Sequence, residues 1–129
     1  MIPDAAIKAT KEHTAIIEIK GVIADDSEAS ADNVITALRA AYEDKKTKGV
    51  ILRINSPGGS AVQAGYINDE IQRLKAKHKD IPVYAVVTDM AASGGYYIAV
   101  AADEIYVDKA SIVGSIGVLM STIGFEKGM

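Results

Sequence analysis

Gly49-Val-Ile-Leu-Arg-Ile54 is a nearly continuous apolar run that stops abruptly at Asn55-Ser-Pro-Gly-Gly59. A run of this kind is typical of a strand that is covered on both faces of a parallel sheet. A helical pattern of apolar residues follows over residues 61–77. The stretch therefore predicts a β-α unit with a sharp glycine turn between its strand and its helix.

The same alternation of strand and helix patterns extends through the rest of the chain. Further strands are predicted at residues 14–19, 83–87 and 104–107, helices at residues 32–42 and 93–102, and another turn and strand at residues 114–120. Right-handed β-α-β crossovers are the favoured way to join such elements. We therefore expect an α/β fold, with a mainly parallel sheet flanked by helices on its faces.

Composition limits the classes of function. The 129 residues, 49% hydrophobic and 24% charged, indicate one folded domain over residues 1–129. The net charge of −3, without a basic stripe, argues against nucleic acid as a partner. Thiol nucleophiles and disulfides are excluded because the chain has no cysteine, and His13 and His78 lie too far apart to indicate a metal site. No apolar run is long enough to span a membrane, so we expect the fragment itself to be soluble.

Two glycine-containing turns, at residues 55–60 and 90–95, each follow a predicted strand and precede a predicted helix. Both are therefore expected at the carboxyl edge of the sheet, where open α/β folds place their functional sites. Ser93 begins the helix that follows the second of these turns, with the amide of Gly94 beside its hydroxyl. If Gly59 of the first turn comes close, the two amides form an oxyanion hole.

Each turn also has a purely structural interpretation. A Pro-Gly-Gly segment alone is more often just a turn, and a serine before two glycines is more often a helix cap. Two standard motifs are excluded on pattern. Ala91 interrupts a Gly-x-Ser-x-Gly nucleophile elbow, and the first glycines are not followed by the Gly-Lys-Ser/Thr of a phosphate loop.

Three segments in order carry a resemblance to a known family. Arg53-Ile-Asn-Ser-Pro-Gly-Gly59, Met90-Ala-Ala-Ser-Gly-Gly-Tyr-Tyr97 and Val113-Gly-Ser-Ile-Gly-Val118 are similar to the signal peptide peptidase A family, and the similarity covers roughly residues 14 to 125. The resemblance implies the Clp protease/crotonase-like fold, a β-α-β spiral, and self-assembly into homo-oligomeric rings. It also implies a protease of the bacterial inner membrane, with its catalytic domain in the periplasm and its membrane attachment through segments absent from this sequence.

The resemblance also implies roles for individual residues. Ser93 becomes the nucleophile of a serine peptidase, and Gly94 and Gly59 become the oxyanion hole. The family uses a lysine as general base and no cofactor, and Ser115 would hydrogen-bond that lysine. Ser115 is equally well read as a turn hydroxyl.

The expected lysine lies about fifty residues after the serine, beyond Met129. We therefore expect a domain truncated at both ends and inactive as it stands. Lys109 and Lys127 are expected to be solvated. A Clp-type histidine base is excluded, since both histidines precede Ser93.

The substrate and two rival functions are less constrained by the sequence. Small and apolar residues near Ser93 predict a shallow apolar pocket, and Gly58, Met90 and Leu119 are the predicted substrate-binding residues, with Ala91, Ala92, Ala99 and Val62 as further candidates. The resemblance implies remnant signal peptides or other apolar peptides, bound by strand addition. The rivals are an acyl-CoA enzyme of the crotonase type, which needs catalytic acids where only Asp89 is available, and a catalytically inactive ring-forming scaffold that binds peptides.

Overall fold

The computed structural model describes residues 11–114. The strands are β1 (His13–Lys20), β2 (Thr47–Ser56), β3 (Val83–Ala92), β4 (Glu104–Val107) and β5 (Ile112–Gly114). The helices are α1 (Ala31–Glu43), α2 (Ala61–Lys77) and α3 (Gly94–Ala99). The predicted α/β class is confirmed, because strands and helices alternate and every strand pairing is parallel.

The order of the strands explains where the helices lie. The sheet runs β1-β2-β3-β4, so each helix connects a strand to its immediate neighbour in the same direction. Successive right-handed crossovers that all advance in one direction put their helices on the same face of the sheet. Burial in β2 follows from this, since Val50, Leu52 and Ile54 are fully buried while Arg53 is exposed.

The prediction that residues 49–54 form a strand covered on both faces is not met by the described residues. Within residues 11–114, helices cover one face of the sheet and not both. In β1 the same alternation buries Ile17 and Ile19 and leaves Ile16 55% exposed. An apolar run does not distinguish a strand covered on both faces from one whose outer face carries a few isoleucines.

Strand β3 is longer than predicted and pairs with two different strands. Its first half, residues 84–87, pairs with β4, and its last three residues pair with β5. Between these two pairings, at residues 88–89, the hydroxyl of Ser111 donates a hydrogen bond to the carbonyl of Thr88 at 2.6 Å. As a result β3 continues as far as Ala92 and delivers the chain directly into the turn at Ser93.

The helices are fixed to one another by polar contacts as well as by the core. Glu70 of α2 is buried and accepts hydrogen bonds from Arg39 of α1 at 2.7 Å and from Arg73 at 2.7 and 2.9 Å. These hydrogen bonds, of which those from Arg73 have the larger effect, lower the pKa of Glu70 to about 2. The backbone N–H of Ala31 also donates to the side chain of Gln63 at 2.7 Å. These polar contacts therefore join the first two helices into one layer on the face of the sheet.

Candidate active site

Ser93 adopts a backbone conformation that is rare for a residue with a side chain. Its φ of 53° and ψ of −119° make it the one non-glycine residue with positive φ in the described part of the chain. These angles are close to those of the first central position of a type II′ turn, which glycine normally occupies. Backbone strain of this kind costs about 1–3 kcal/mol and is concentrated at functional sites.

The turn is held on both sides by backbone hydrogen bonds. The N–H of Ser93 donates to the carbonyl of Gly114 in β5 at 2.8 Å, and its own carbonyl accepts from Tyr97 in α3 at 3.0 Å. The Ser93 side chain makes no capping hydrogen bond. The interpretation of Ser93 as a simple helix cap is therefore not supported, because its hydroxyl is not used to satisfy the helix.

Gly58 supplies the space that this turn needs. A Cβ on Gly58 would lie 2.8 Å from the Cβ of Ser93 and 2.9 Å from the amide nitrogen of Gly94. The strained strand-turn-helix geometry of a nucleophile elbow is thus present without its sequence pattern. Ala91 is tolerated, fully buried, because the room comes from a neighbouring turn and not from the residue two positions before the serine.

Ser56, which the sequence analysis did not single out, holds the first turn in place. Its hydroxyl donates to the carbonyl of Gly21 at 2.7 Å and accepts from the N–H of Gly58 at 3.1 Å. The residue is fully buried at the end of β2. The sequence does contain a signal for this residue. Val50, Leu52 and Ile54 alternate along the strand, and Ser56 is a polar residue at the next position of the same series.

The amide of Gly59 is directed by a short pairing with Ile23. The N–H of Ile23 donates to the carbonyl of Gly58 at 2.9 Å, and the N–H of Ser60 donates to the carbonyl of Ile23 at 2.7 Å. Neighbouring peptide groups of an extended segment point to opposite sides, so the N–H of Gly59 faces away from Ile23. A side chain at Gly59 would overlap the carbonyl oxygen of Ile23, and its φ is +147°.

Within residues 11–114, two backbone donors on the wall that also carries Ser93 have no protein acceptor. Among residues 11–114, neither Gly59 nor Gly94 donates its N–H to a protein acceptor. Gly94 is the first residue of α3, where an amide has no partner within the helix. Such donors suit an oxygen atom that acquires negative charge during acyl transfer.

One cavity of about 350 Å³ contains these groups. Its lining is mostly apolar and comprises Gly59, Ala61, Ala64, Gly65, Ser93, Gly94 and Tyr97. The walls from α2 and α3 are fixed to each other, because the Asn68 side-chain amide donates to the carbonyl of Tyr97 at 2.7 Å. A serine hydroxyl, two free amides and an apolar cavity together can support nucleophilic attack on a carbonyl.

Neither Gly58 nor Met90, the two predicted substrate-binding residues that the structure describes, is part of this cavity's wall. Met90 lines a separate groove of about 720 Å³ with residues of β4 and β5. Gly58 lies against the Ser93 side chain and is not part of the cavity wall. Ser115 and Leu119 lie outside the described residues. We assign the candidate site to the smaller cavity, since it holds the strained serine and both free amides.

A general base is missing from the cavity wall as far as residues 11–114 describe it. No lysine, histidine, aspartate or glutamate lines it. His13 begins β1 and His78 follows the end of α2, so both lie at the amino edge of the sheet, opposite Ser93. Lys109 is exposed, as expected. The same residues contain no group of side chains arranged to hold a metal ion, and no helix among them is long and apolar enough to cross a membrane.

Comparison with known proteins connects this geometry to a family. Residues 75–129 match the model of peptidase family S49. The chain is 36% identical over 126 residues to a protein of Enterococcus faecium whose name assigns it provisionally as signal peptide peptidase SppA. It is 40% identical over 119 residues to Protease 4 of Haemophilus influenzae, and 40% identical over 123 residues to the chloroplastic serine protease SPPA of Arabidopsis thaliana.

These alignments cover most of this chain but a smaller part of each relative. They include 92%, 89% and 88% of the chain in the order given. The chain spans 36% of the length of the Enterococcus protein, 19% of the Haemophilus protein and 18% of the Arabidopsis protein.

Proposed function

The chain belongs to the S49 family of peptidases, which has the Clp protease/crotonase-like fold, and from this premise we propose that it carries the nucleophile and oxyanion hole of a serine endopeptidase. The observation that supports the proposal most directly is Ser93, held at φ 53° in one cavity with the amides of Gly59 and Gly94, which have no protein acceptor within residues 11–114. The substrates that we propose are remnant signal peptides and other extended apolar peptides.

In the proposed mechanism, Ser93 Oγ attacks the scissile carbonyl carbon while a base accepts the hydroxyl proton. The carbonyl oxygen becomes an oxyanion, to which Gly59 and Gly94 donate their N–H groups. The tetrahedral intermediate then expels the amine, which takes the proton from the base, and leaves an acyl-enzyme at Ser93 that water hydrolyses. Removal of one oxyanion donor typically costs about 10² to 10³ in rate.

We propose that the base is a lysine outside residues 11–114, supported by Ser115. A lysine can act as a base only when it is neutral, and burial can lower its pKa from about 10.4 toward 7 or 8. The apolar lining of the Ser93 cavity suits this requirement, because within residues 11–114 it contains no carboxylate that would hold the lysine in its charged form.

The peptide is proposed to bind as an added strand beside the site. Within the described residues β5 pairs only with β3, which leaves its other edge open to a further strand. The carbonyl of Gly114 in β5 accepts a hydrogen bond from the N–H of Ser93. A peptide alongside β5 would place backbone carbonyls near Ser93. Attachment to the bacterial inner membrane with a periplasmic catalytic domain, and assembly into a homo-oligomer, are further parts of this proposal and rest on the family resemblance.

Active-site labelling tests the proposal. The natural full-length protein is treated with a small serine-directed acylating probe, beside its Ser93→Ala variant, and peptide mapping locates the label. We expect label at Ser93 and cleavage of apolar peptides, both lost in the variant. If the full-length protein binds apolar peptides equally well with and without Ser93 and is never labelled, the inactive scaffold is the correct interpretation.

The crotonase-type acyl-CoA enzyme is not favoured. That chemistry needs an acid or base next to the oxyanion hole, and among residues 11–114 the cavity wall contains no carboxylate. Asp89, the candidate acid, is exposed and lines the separate groove with Met90.

A further inference from the structure

Gly65 is an unusual residue for its position in the fold. It lies in α2, which runs from Ala61 to Lys77, and a glycine inside a helix costs about 1 kcal/mol relative to alanine. Glycines are normally kept at such a cost because a side chain would collide with a neighbour or because φ is positive. Neither reason applies to Gly65. Among residues 11–114, a Cβ built on Gly65 meets nothing within 4 Å, and the φ of Gly65 is not in the positive range.

The other glycines of the site differ from Gly65 in this respect. A Cβ on Gly58 would collide with Ser93, one on Gly59 would overlap the backbone of Ile23, and one on Gly95 would lie 3.0 Å from the carbonyl oxygen of Ser56. Each of these glycines is explained by packing. The space in front of Gly65 is open, and it is the cavity that also contains Ser93.

The first two turns of α2 present small residues to this cavity. Ala61, Ala64 and Gly65 stand at i, i+3 and i+4, which places them on one side of the helix. Tyr97 of α3 contributes a large side chain to the wall, and the hydrogen bond from Asn68 fixes α3 against α2. This bond holds α3 against α2, and within residues 11–114 no side chain fills the space in front of Gly65, so that the volume is open to a ligand.

We infer that Gly65 sets the depth of the cavity beside Ser93 and thereby the largest side chain that the site accepts next to the scissile bond. The inference rests on the proposed peptidase function. It gives the ligand class as peptides with a large apolar side chain at that position, because small side chains would leave the cavity partly empty. Gly65 is a specificity-determining residue in this account, and it takes no part in bond breaking.

The experiment measures cleavage of a peptide series by the natural full-length protein and its Gly65→Ala and Gly65→Val variants. The peptides differ only at the residue before the scissile bond, which is alanine, leucine or phenylalanine. One methylene in an apolar pocket changes discrimination by about tenfold or more. We expect Gly65→Ala to lower kcat/KM for the leucine and phenylalanine peptides about tenfold, to leave the alanine peptide unchanged, and to raise the melting temperature. Gly65→Val, which adds a larger side chain, should lower kcat/KM for the leucine and phenylalanine peptides further.

Gln72→Ala is the matched control, since it changes an exposed position on the same helix away from the cavity. It should leave the ratio of kcat/KM values between peptides unchanged. The inference is overturned if Gly65→Ala cleaves all three peptides in the wild-type ratio. That result would leave the peptidase proposal intact, because cleavage continues. Absence of Ser93-dependent cleavage in the wild-type protein would overturn both.

Discussion

Gly58 lies directly against Ser93, and a Cβ on Gly58 would be only 2.8 Å from the Cβ of the serine. The two residues belong to different turns, each at the carboxyl end of a strand. The nucleophile's position is therefore set by a contact between neighbouring turns as much as by its own turn.

The first prediction concerns this contact. Gly58→Ala should displace Ser93 or Gly94 and reduce acylation of Ser93 in the natural full-length protein by about 10² or more, as loss of an oxyanion donor does. Gly21→Ala is the control for backbone strain, because Gly21 also has positive φ, +84°, a Cβ there meets nothing within 4 Å among the described residues, and the substitution keeps the carbonyl to which Ser56 donates. Both variants carry similar backbone strain, so a similar loss of labelling in the control would show that strain and not the contact is responsible.

The second prediction concerns the hydroxyl of Ser56. Ser56→Ala leaves the part-buried Gly21 carbonyl and the buried Gly58 amide without their shared partner, which should cost about 1–3 kcal/mol of folding free energy. It should also lower kcat more than it raises KM, because the turn that carries Gly59 is loosened. Ser30→Ala removes the N-cap of α1 at a cost of about 1 kcal/mol and touches no site residue. If both variants lose activity only in proportion to stability, Ser56 has no positioning role.

The third prediction concerns the strain at Ser93. Ser93→Gly and Ser93→Ala should both abolish labelling, since both remove the hydroxyl. Glycine adopts positive φ without a steric cost. The glycine variant should therefore have a free energy of unfolding about 1 kcal/mol larger than that of the alanine variant, and a higher melting temperature. A differential scanning measurement of the pair tests this. Equal stabilities would mean that the alanine side chain is not strained at this position.

Much of the fold follows from local pattern. The run at residues 49–54 and the glycine turn after it predict β2 and the start of α2, and the alternation of elements predicts the parallel sheet. The sequence singles out Ser93, Gly94 and Gly59 as candidate site residues because their turns follow parallel strands, whose carboxyl ends share one edge of the sheet. What pattern alone did not reveal is the one-sided helix layer, which depends on the order of the strands in the sheet.

The supporting contacts of the site were missed for a different physical reason. Ser56 bonds to the carbonyl of Gly21, a residue 35 positions away, and Gly58 contacts Ser93 across a similar separation. Sequence spacing contains no distance information at that range. For this reason the sequence predicts Gly58 only as a substrate-binding residue, and its close contact with the side chain of Ser93 is seen in the structure alone.

The last prediction concerns the acid stability of the helix layer. The pKa of Glu70 falls from its ordinary 4.5 to about 2 on folding, through its bonds to Arg73 and Arg39. A depressed pKa contributes stability that is complete above 4.5 and is lost as the pH falls toward 2. Between pH 5 and pH 3 the loss should reach at most about 2 kcal/mol, reduced by the exposure of both arginines. Urea unfolding of the natural protein should show this loss, and Glu70→Gln, already less stable at pH 7, should lack it. Glu28→Gln, at an exposed carboxylate, should behave as wild type, and an unchanged acid response in Glu70→Gln would exclude Glu70 as its source.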